Sequence, residues 1–494
     1  MIATGLTPRM RASIFGSLLV IGASLVVPGV ASASPSVVGA QPVVALDTET
    51  AQAQARLLNK QVKVTAKTTE SSETWANPDG TLTSEIASGP VRVKQGDDWN
   101  PVDLTLVKQP DGTVRAKAHP RNLVLSAASG PGTEDLASVS SPHGMLALQW
   151  PGSLPDPMLN GDTATYAEVE PGVDLQVKAT LAGFQQLLVV KRKPTKAMKA
   201  TLPLRVEGME VRTEASGHIA LLDKSGRVVG GIPAAEMWDS RKDSTTGDRV
   251  KHVKAKQLTV KRAGPQQSGV DITVEPADAF FDDPGLVYPV SIDPSPDLGT
   301  SFDTWVQEGS TLQKSASTEL RMGVTGSAET RAYMHFDMSP IKGTTVTAST
   351  LRLWAFHSYS CSARNWTVYS TPLVAWDVTW ATKPAPWNEW VTTSETMGYD
   401  SSCAADSTKT DIQRLAQTWA DQKFGMAGVM IRATDETDAL AWKKFNSSEA
   451  GLGPIPGTLG SGEDGHDCGW WACQVFVDGF LRWERGALCA ADHA

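Results

Sequence analysis

Arg331-Ala332-Tyr333-Met334-His335-Phe336 and Trp366-Thr367-Val368-Tyr369 decide the fold, because each is a short run of strand-forming residues between turn-rich segments. Thr304-Trp305-Val306, Thr318-Glu319-Leu320-Arg321-Met322 and residues 349–356 repeat the pattern at close spacing. Several such strands in succession predict a β-sandwich over residues 300–450. Residues 411–420 break the rhythm: Ile412, Leu415 and Trp419 form a helical stripe, predicting one short helix that caps an end of the sandwich.

Upstream, turn chemistry divides residues 61–294 at Asn77-Pro78-Asp79-Gly80, Gln95-Gly96-Asp97-Asp98 and Gln109-Pro110-Asp111-Gly112. Between turns, segments such as Val102-Asp103-Leu104-Thr105-Leu106 and Gly172-Val173-Asp174-Leu175-Gln176-Val177 alternate apolar with polar residues. This is the signature of an antiparallel sheet with one solvated face, so the whole chain is expected to be all-β. Asp293-Pro294-Ser295-Pro296-Asp297-Leu298-Gly299 is dense in turn formers and marks the boundary between the two β regions. Residues 34–60 read as a linker leading into a short helix, with Ala51, Ala55 and Leu58 at helical spacing behind an Asp47 cap.

The chain has 494 residues, enough for two or three domains, and 45 basic against 54 acidic side chains. No long basic block interleaved with aromatics occurs, which argues against a nucleic-acid partner. Residues 1–33 have the parts of a secretory signal peptide: Arg9 and Arg11, an apolar run over residues 14–27, then Pro28 and Ala31-Ser32-Ala33. That run is too short to span a bilayer, and the expectation is a secreted, extracellular protein without a membrane span. Cys361 and Cys403 lie alone in the tryptophan-rich region, both in polar, loop-like sequence, and are expected to form a disulfide after export.

The second region resembles the DNRLRE-domain family of secreted bacterial proteins, also classed as carbohydrate-binding module family 96. The resemblance rests on an ordered series: Asp303-Thr304-Trp305-Val306, residues 330–338, Ala348-Ser349-Thr350-Leu351-Arg352-Leu353-Trp354, Trp380-Ala381-Thr382-Lys383-Pro384, the helix, Gly425-Met426-Ala427-Gly428-Val429 and Lys444-Phe445-Asn446-Ser447-Ser448-Glu449. It implies a jelly-roll-like sandwich that binds polysaccharide without catalysis. The preceding region, through residues 165–175 and Tyr288-Pro289-Val290-Ser291-Ile292-Asp293-Pro294, resembles the N-terminal part of large actinobacterial secreted proteins with YD/RHS repeats. A truncated portion of such a surface or toxin-delivery protein, with the β domains as structural spacers, is the alternative reading.

The chain departs from the family pattern after Ala450. Where a closing strand of the form Pro-x-Leu-x-Val-x-Tyr is expected, it reads Gly451-Leu452-Gly453-Pro454-Ile455-Pro456-Gly457. Residues 451–494 hold nine of the 42 glycines and three of the five cysteines, and are expected to be an irregular, disordered tail, of the kind a frameshift leaves. The missing strand would leave a neighbour with unpaired backbone groups.

Among the candidates for chemistry, neither a zinc-binding His-Glu-x-x-His nor a Gly-x-Ser-x-Gly elbow is present, and His335 reads as structural. Asp377, Glu389 and Asp400 could supply a glycosidase pair, but no catalytic pattern surrounds them. His466, Cys468, Cys473, Cys489 and His493 match no zinc spacing. No cofactor is expected, with calcium at Asp435-Glu436-Thr437-Asp438 as the one option against a solvated hairpin tip. Tryptophans are the best sugar-binding candidates, since flat rings stack on pyranose faces. Trp305, Trp354, Trp376 and Trp419 are expected in the core, whereas Trp387 and Trp390, in a proline-containing stretch, are expected to form an exposed platform for a polysaccharide or cell-wall glycan, the alternative being that they fold back to plug one end of the sandwich.

Overall fold

The computed structural model describes residues 43–450, apart from 215–216, 245, 262–268, 294, 297, 299–302 and 327, together with the strand at 473–477. The expected signal peptide and most of the tail, including His466, Cys468, Cys489 and His493, lie outside the described residues.

The fold is all-β, as the alternation predicts. Helix Thr48–Leu58 begins where Asp47 accepts a hydrogen bond from the Thr50 N–H at 2.8 Å, and ends at Asn59 in the left-handed conformation. Ala51 and Ala55 pack on Val62, Val64 and Ala76, while Leu58 stays exposed. Small residues on the buried stripe let the helix lie close to its sheet.

The first β region is a sandwich. One sheet has eight strands in the order Lys256–Lys261, Gly269–Glu275, Ala200–Glu207, Gly144–Pro151, Thr133–Ser141, Val124–Leu125, Val114–Ala118, Asp103–Lys108. The other has seven: Met158–Asn160, Thr163–Glu170, Val173–Ala179, Phe184–Val190, Val290–Asp293, Glu236–Trp238, His252–Lys254. Strand Val173–Ala179 buries every second side chain, and Leu175 and Val177 share one core with Leu146, Leu148, Leu204 and Ile272 of the other sheet. A separate three-stranded sheet, Glu210–Thr213, Ile219–Leu222 and Val228–Ile232, packs against that core through Ile219, Leu221 and Ile232. Leu298 is buried with the first region, so the boundary segment is anchored before the next strand opens at Asp303.

The second sandwich carries its own core around Trp305, Met334, Phe336, Trp366, Val429, Ile431 and Phe445. One face runs Asn388–Thr393, Trp366–Thr371, Met426–Ala433, Ala328–Asp337, Asp303–Gln307. The other runs Glu319–Thr325, Lys443–Asn446, Trp354–Ser358, Asp406–Ser407, and the two join at the hairpin where Thr325 pairs with Ala328. The helix occupies Gln413–Asp421 and buries Leu415, Ala416, Trp419 and Ala420. Gln413 and Gln417 bond the carbonyl and the N–H of Val346, satisfying the end of strand Val346–Leu351.

Cys361 and Cys403 form the expected disulfide, with Cα atoms 5.8 Å apart at a sequence separation of 42. Replacing both by Ala is expected to lower unfolding stability by about 2–4 kcal/mol, because the bridge removes loop-closure entropy from the unfolded chain. Denaturant midpoints under oxidising conditions check this; an unchanged midpoint contradicts it.

The tail is not without strand structure, contrary to the sequence reading. Cys473–Val477 forms a strand paired antiparallel with Val346–Leu351 on one side and with Leu82–Ile86 on the other. Cys473-Gln474-Val475-Phe476-Val477 has the β-branched and aromatic content that favours extended backbone. The reading missed it because glycine and cysteine enrichment masked a five-residue run. A chain ending at Ala450 should therefore exchange amide protons faster at residues 82–86 and 346–351 and associate in a concentration-dependent way. Unchanged exchange there would show that the strand protects neither edge.

A second seam joins the two regions at Asp303, the first residue of the family-like motif. Its Oδ2 accepts hydrogen bonds from Ser88 Oγ at 3.1 Å and from the Ser448 N–H at 2.8 Å, while Ile86 enters the second core. Oδ1 is buried with no hydrogen-bond partner among the described residues, and burial pushes the carboxyl up to about 6. The folded state thus holds the proton more tightly than the unfolded chain. The contribution to stability is complete below the ordinary carboxylate pKa of about 4 and is lost as pH rises through about 6. Asp303→Asn should be more stable than the unmodified protein at pH 7–8 and lose that advantage below pH 4. Parallel melting curves at both pH values would refute the assignment.

Candidate functional site

Trp387 and Trp390 sit at the outer edge of the second sandwich, on and just before the edge strand Asn388–Thr393. The strand begins earlier than a proline-limited loop would allow, because the Trp387 N–H already donates to the Ser370 carbonyl at 2.8 Å. Ser370 holds both residues: its hydroxyl accepts from Trp390 Nε1 at 2.9 Å. The two indoles then diverge. Trp387 is 55 % exposed and stacks at 6.5 Å on Phe424, whereas Trp390 is half-buried against the core. One exposed ring backed by a second aromatic is what this edge offers, in place of a two-tryptophan platform.

The other tryptophans divide differently from expectation. Trp305 and Trp419 are core, but Trp354 and Trp376 are half-buried. Trp380 is contacted by two cations, Lys383 at 3.7 Å and Arg331 at 4.8 Å from its ring centre, which compete with a ligand for the ring.

Carboxylates singled out in the sequence are committed to partners. Glu436 pairs with Arg331 and Arg432, Asp438 with Arg364, and Asp435 accepts from Thr437. Calcium would have to displace these cations, so the tip is an ion-paired turn rather than a cation cradle. Glu389 accepts from the Tyr369 hydroxyl, Asp400 caps the turn Ser401–Cys403, and Asp377 pairs with His218 at 3.3 Å. That hydrogen bond holds the Asp377 carboxyl below its ordinary pKa. His335 is buried in its strand, and its Nε2 accepts from the Val374 N–H at 3.0 Å. Its ring fixes the segment that follows strand Trp366–Thr371.

That segment forms one wall of a cleft of about 380 Å³, with Leu373, Trp376 and Asp377 facing Arg212 and Val228 of the three-stranded sheet and Glu214 just beyond its first strand. Nothing in the sequence signals this meeting, since more than a hundred residues separate its two walls.

Residues 296–454 match the model of carbohydrate-binding module family 96. The match covers the whole second sandwich, from Asp303 to Asn446. Over 364 residues the chain is 26 % identical to the tRNA nuclease WapA of Bacillus subtilis, covering 67 % of this chain and 15 % of that protein. The tRNA3(Ser)-specific nuclease WapA of Bacillus spizizenii is 25 % identical over 365 residues, with the same coverage. The chain thus spans 15 % of the length of the curated relatives it matches.

Proposed function

We propose that this is an exported, non-catalytic protein that attaches to a polysaccharide or cell-wall glycan through its second sandwich. The observation that carries the reading is the match of residues 296–454 to a carbohydrate-binding family. Trp387 supports it, being a large apolar ring left in solvent at a sheet edge and braced by Phe424. Export is supported by the signal-like residues 1–33 and by the Cys361–Cys403 bridge, a bond that persists in oxidising compartments. The absence of catalysis is supported by Asp377, Glu389 and Asp400 each serving a hydrogen-bonding partner within the fold.

The test is retention of the purified chain on insoluble peptidoglycan, chitin, cellulose and calcium-gelled alginate. Retention on one polymer, weakened about tenfold by Trp387→Ala, is expected, equivalent to about 1.4 kcal/mol of lost stacking. A folded protein retained by none of them would overturn the reading.

The WapA relatives favour a second reading, in which the chain corresponds to one portion of a much larger secreted protein and both β regions are spacers. Lack of glycan retention, with unaltered folding, supports that reading over the first.

A further inference from the structure

The cleft between the three-stranded sheet and residues 373–377 has the composition of a small-ligand site. Its volume of about 380 Å³ falls within the roughly 300–1,000 Å³ typical of such sites. The first wall is built by cross-strand register: Arg212 pairs with Ala220, and Ala220 with Gly231, so one row across the sheet runs from a long cation to two small residues. Trp376 uses the space this row leaves. A Cβ at Gly231 would come within 2.4 Å of the indole, so only glycine lets the ring lie so close to the sheet. The second wall is fixed at two points, Val374 on His335 and Asp377 on His218. A pre-formed opening results, with apolar surface from Trp376 and from Leu373, which is 50 % exposed.

The polar groups determine which ligand fits. Arg212 and Glu214 pair at 3.1 Å on the sheet side, and Asp377 stands on the other. These three carry one positive and two negative charges, which disfavours an anionic ligand. Donors and acceptors of both kinds beside an apolar surface suit an uncharged ring bearing several hydroxyls.

We propose that this cleft is a carbohydrate subsite separate from the Trp387 edge, taking a neutral sugar residue whose ring face lies against Trp376 and Leu373 while its hydroxyls bond Arg212, Glu214 and Asp377. It rests on the polysaccharide-binding reading and adds the location and charge class of a site. Since its walls come from both β regions, the first region contributes directly to binding instead of only carrying the module.

The experiment is calorimetric titration of the full chain with cellotetraose, chitotetraose and an alginate tetrasaccharide, beside the polymer-retention assay. Two variants address the cleft. Val228→Arg places a long side chain at its mouth, and Arg212→Ala with Glu214→Ala removes exposed polar groups without opening the core; thermal unfolding checks that each folds. The expected result is binding of a neutral tetrasaccharide, weakened tenfold or more in both variants. Equal affinity in the unmodified chain and the variants, with polymer retention intact, overturns the cleft and leaves the broader reading standing. Retention on a polymer with no tetrasaccharide bound also overturns the cleft. Selective binding of the alginate fragment refutes the charge assignment. Neither retention nor titration heat removes both proposals.

Discussion

Backbone hydrogen bonding at sheet edges is the constraint on which the rest of this structure depends. A fold built mainly from sheets must satisfy the N–H and C=O groups of every outermost strand, by pairing, covering or exposure to water. Strand Val346–Leu351 combines backbone pairing on both sides with side-chain hydrogen bonds at its start. Asp411 and Thr410 pair with part of one side, Cys473–Val477 pairs with the other, and the amides of Gln413 and Gln417 finish its first residue. Because Cys473–Val477 also pairs with Leu82–Ile86, satisfying one edge of the second sandwich ties it to the first part of the chain.

That link is reinforced by chemistry with the opposite character. At Asp303 a carboxyl is removed from water and given two hydrogen bonds, a costly arrangement for a charged group. Its neighbour in the seam, Ile86, contributes apolar burial. Polar geometry therefore sets the register between residues 86–88 and the second sandwich, while apolar contact supplies the favourable burial. Leu298 packs into the first core a few residues before Asp303.

The parts of the fold legible from sequence were those governed by local periodicity. Alternation over residues 173–179 locates a half-buried strand, the stripe of Leu415 and Trp419 locates the helix, and two cysteines in polar loops locate the disulfide. What escaped depends on distant partners. Leu58 follows the same spacing as Ala51 and Ala55 but lies exposed, outside the cluster that buries them. Trp390 and Trp387 look alike in sequence, yet a single serine, Ser370, draws one indole inward through its hydroxyl and leaves the other in solvent. Trp376 reads as a core residue because large aromatics are usually buried, and its true setting depends on Gly231 in another region of the chain.

The contrast between Trp387 and Trp376 bears on how a polymer and a short sugar would be held. An exposed ring at an edge contacts a ligand on one face only, leaves the ligand otherwise hydrated, and suits repeated units of a long chain presented at high local density. A walled cleft with donors and acceptors at fixed positions instead discriminates among individual sugars, because a misplaced hydroxyl leaves a polar group unpaired. Both kinds of surface occur here on one scaffold, one at the edge of the second sandwich and one where His335 fixes Val374 and His218 of the first region holds Asp377. Edge exposure and inter-region packing are thus opposite solutions to placing tryptophan, and each leaves the ring a different kind of work to do.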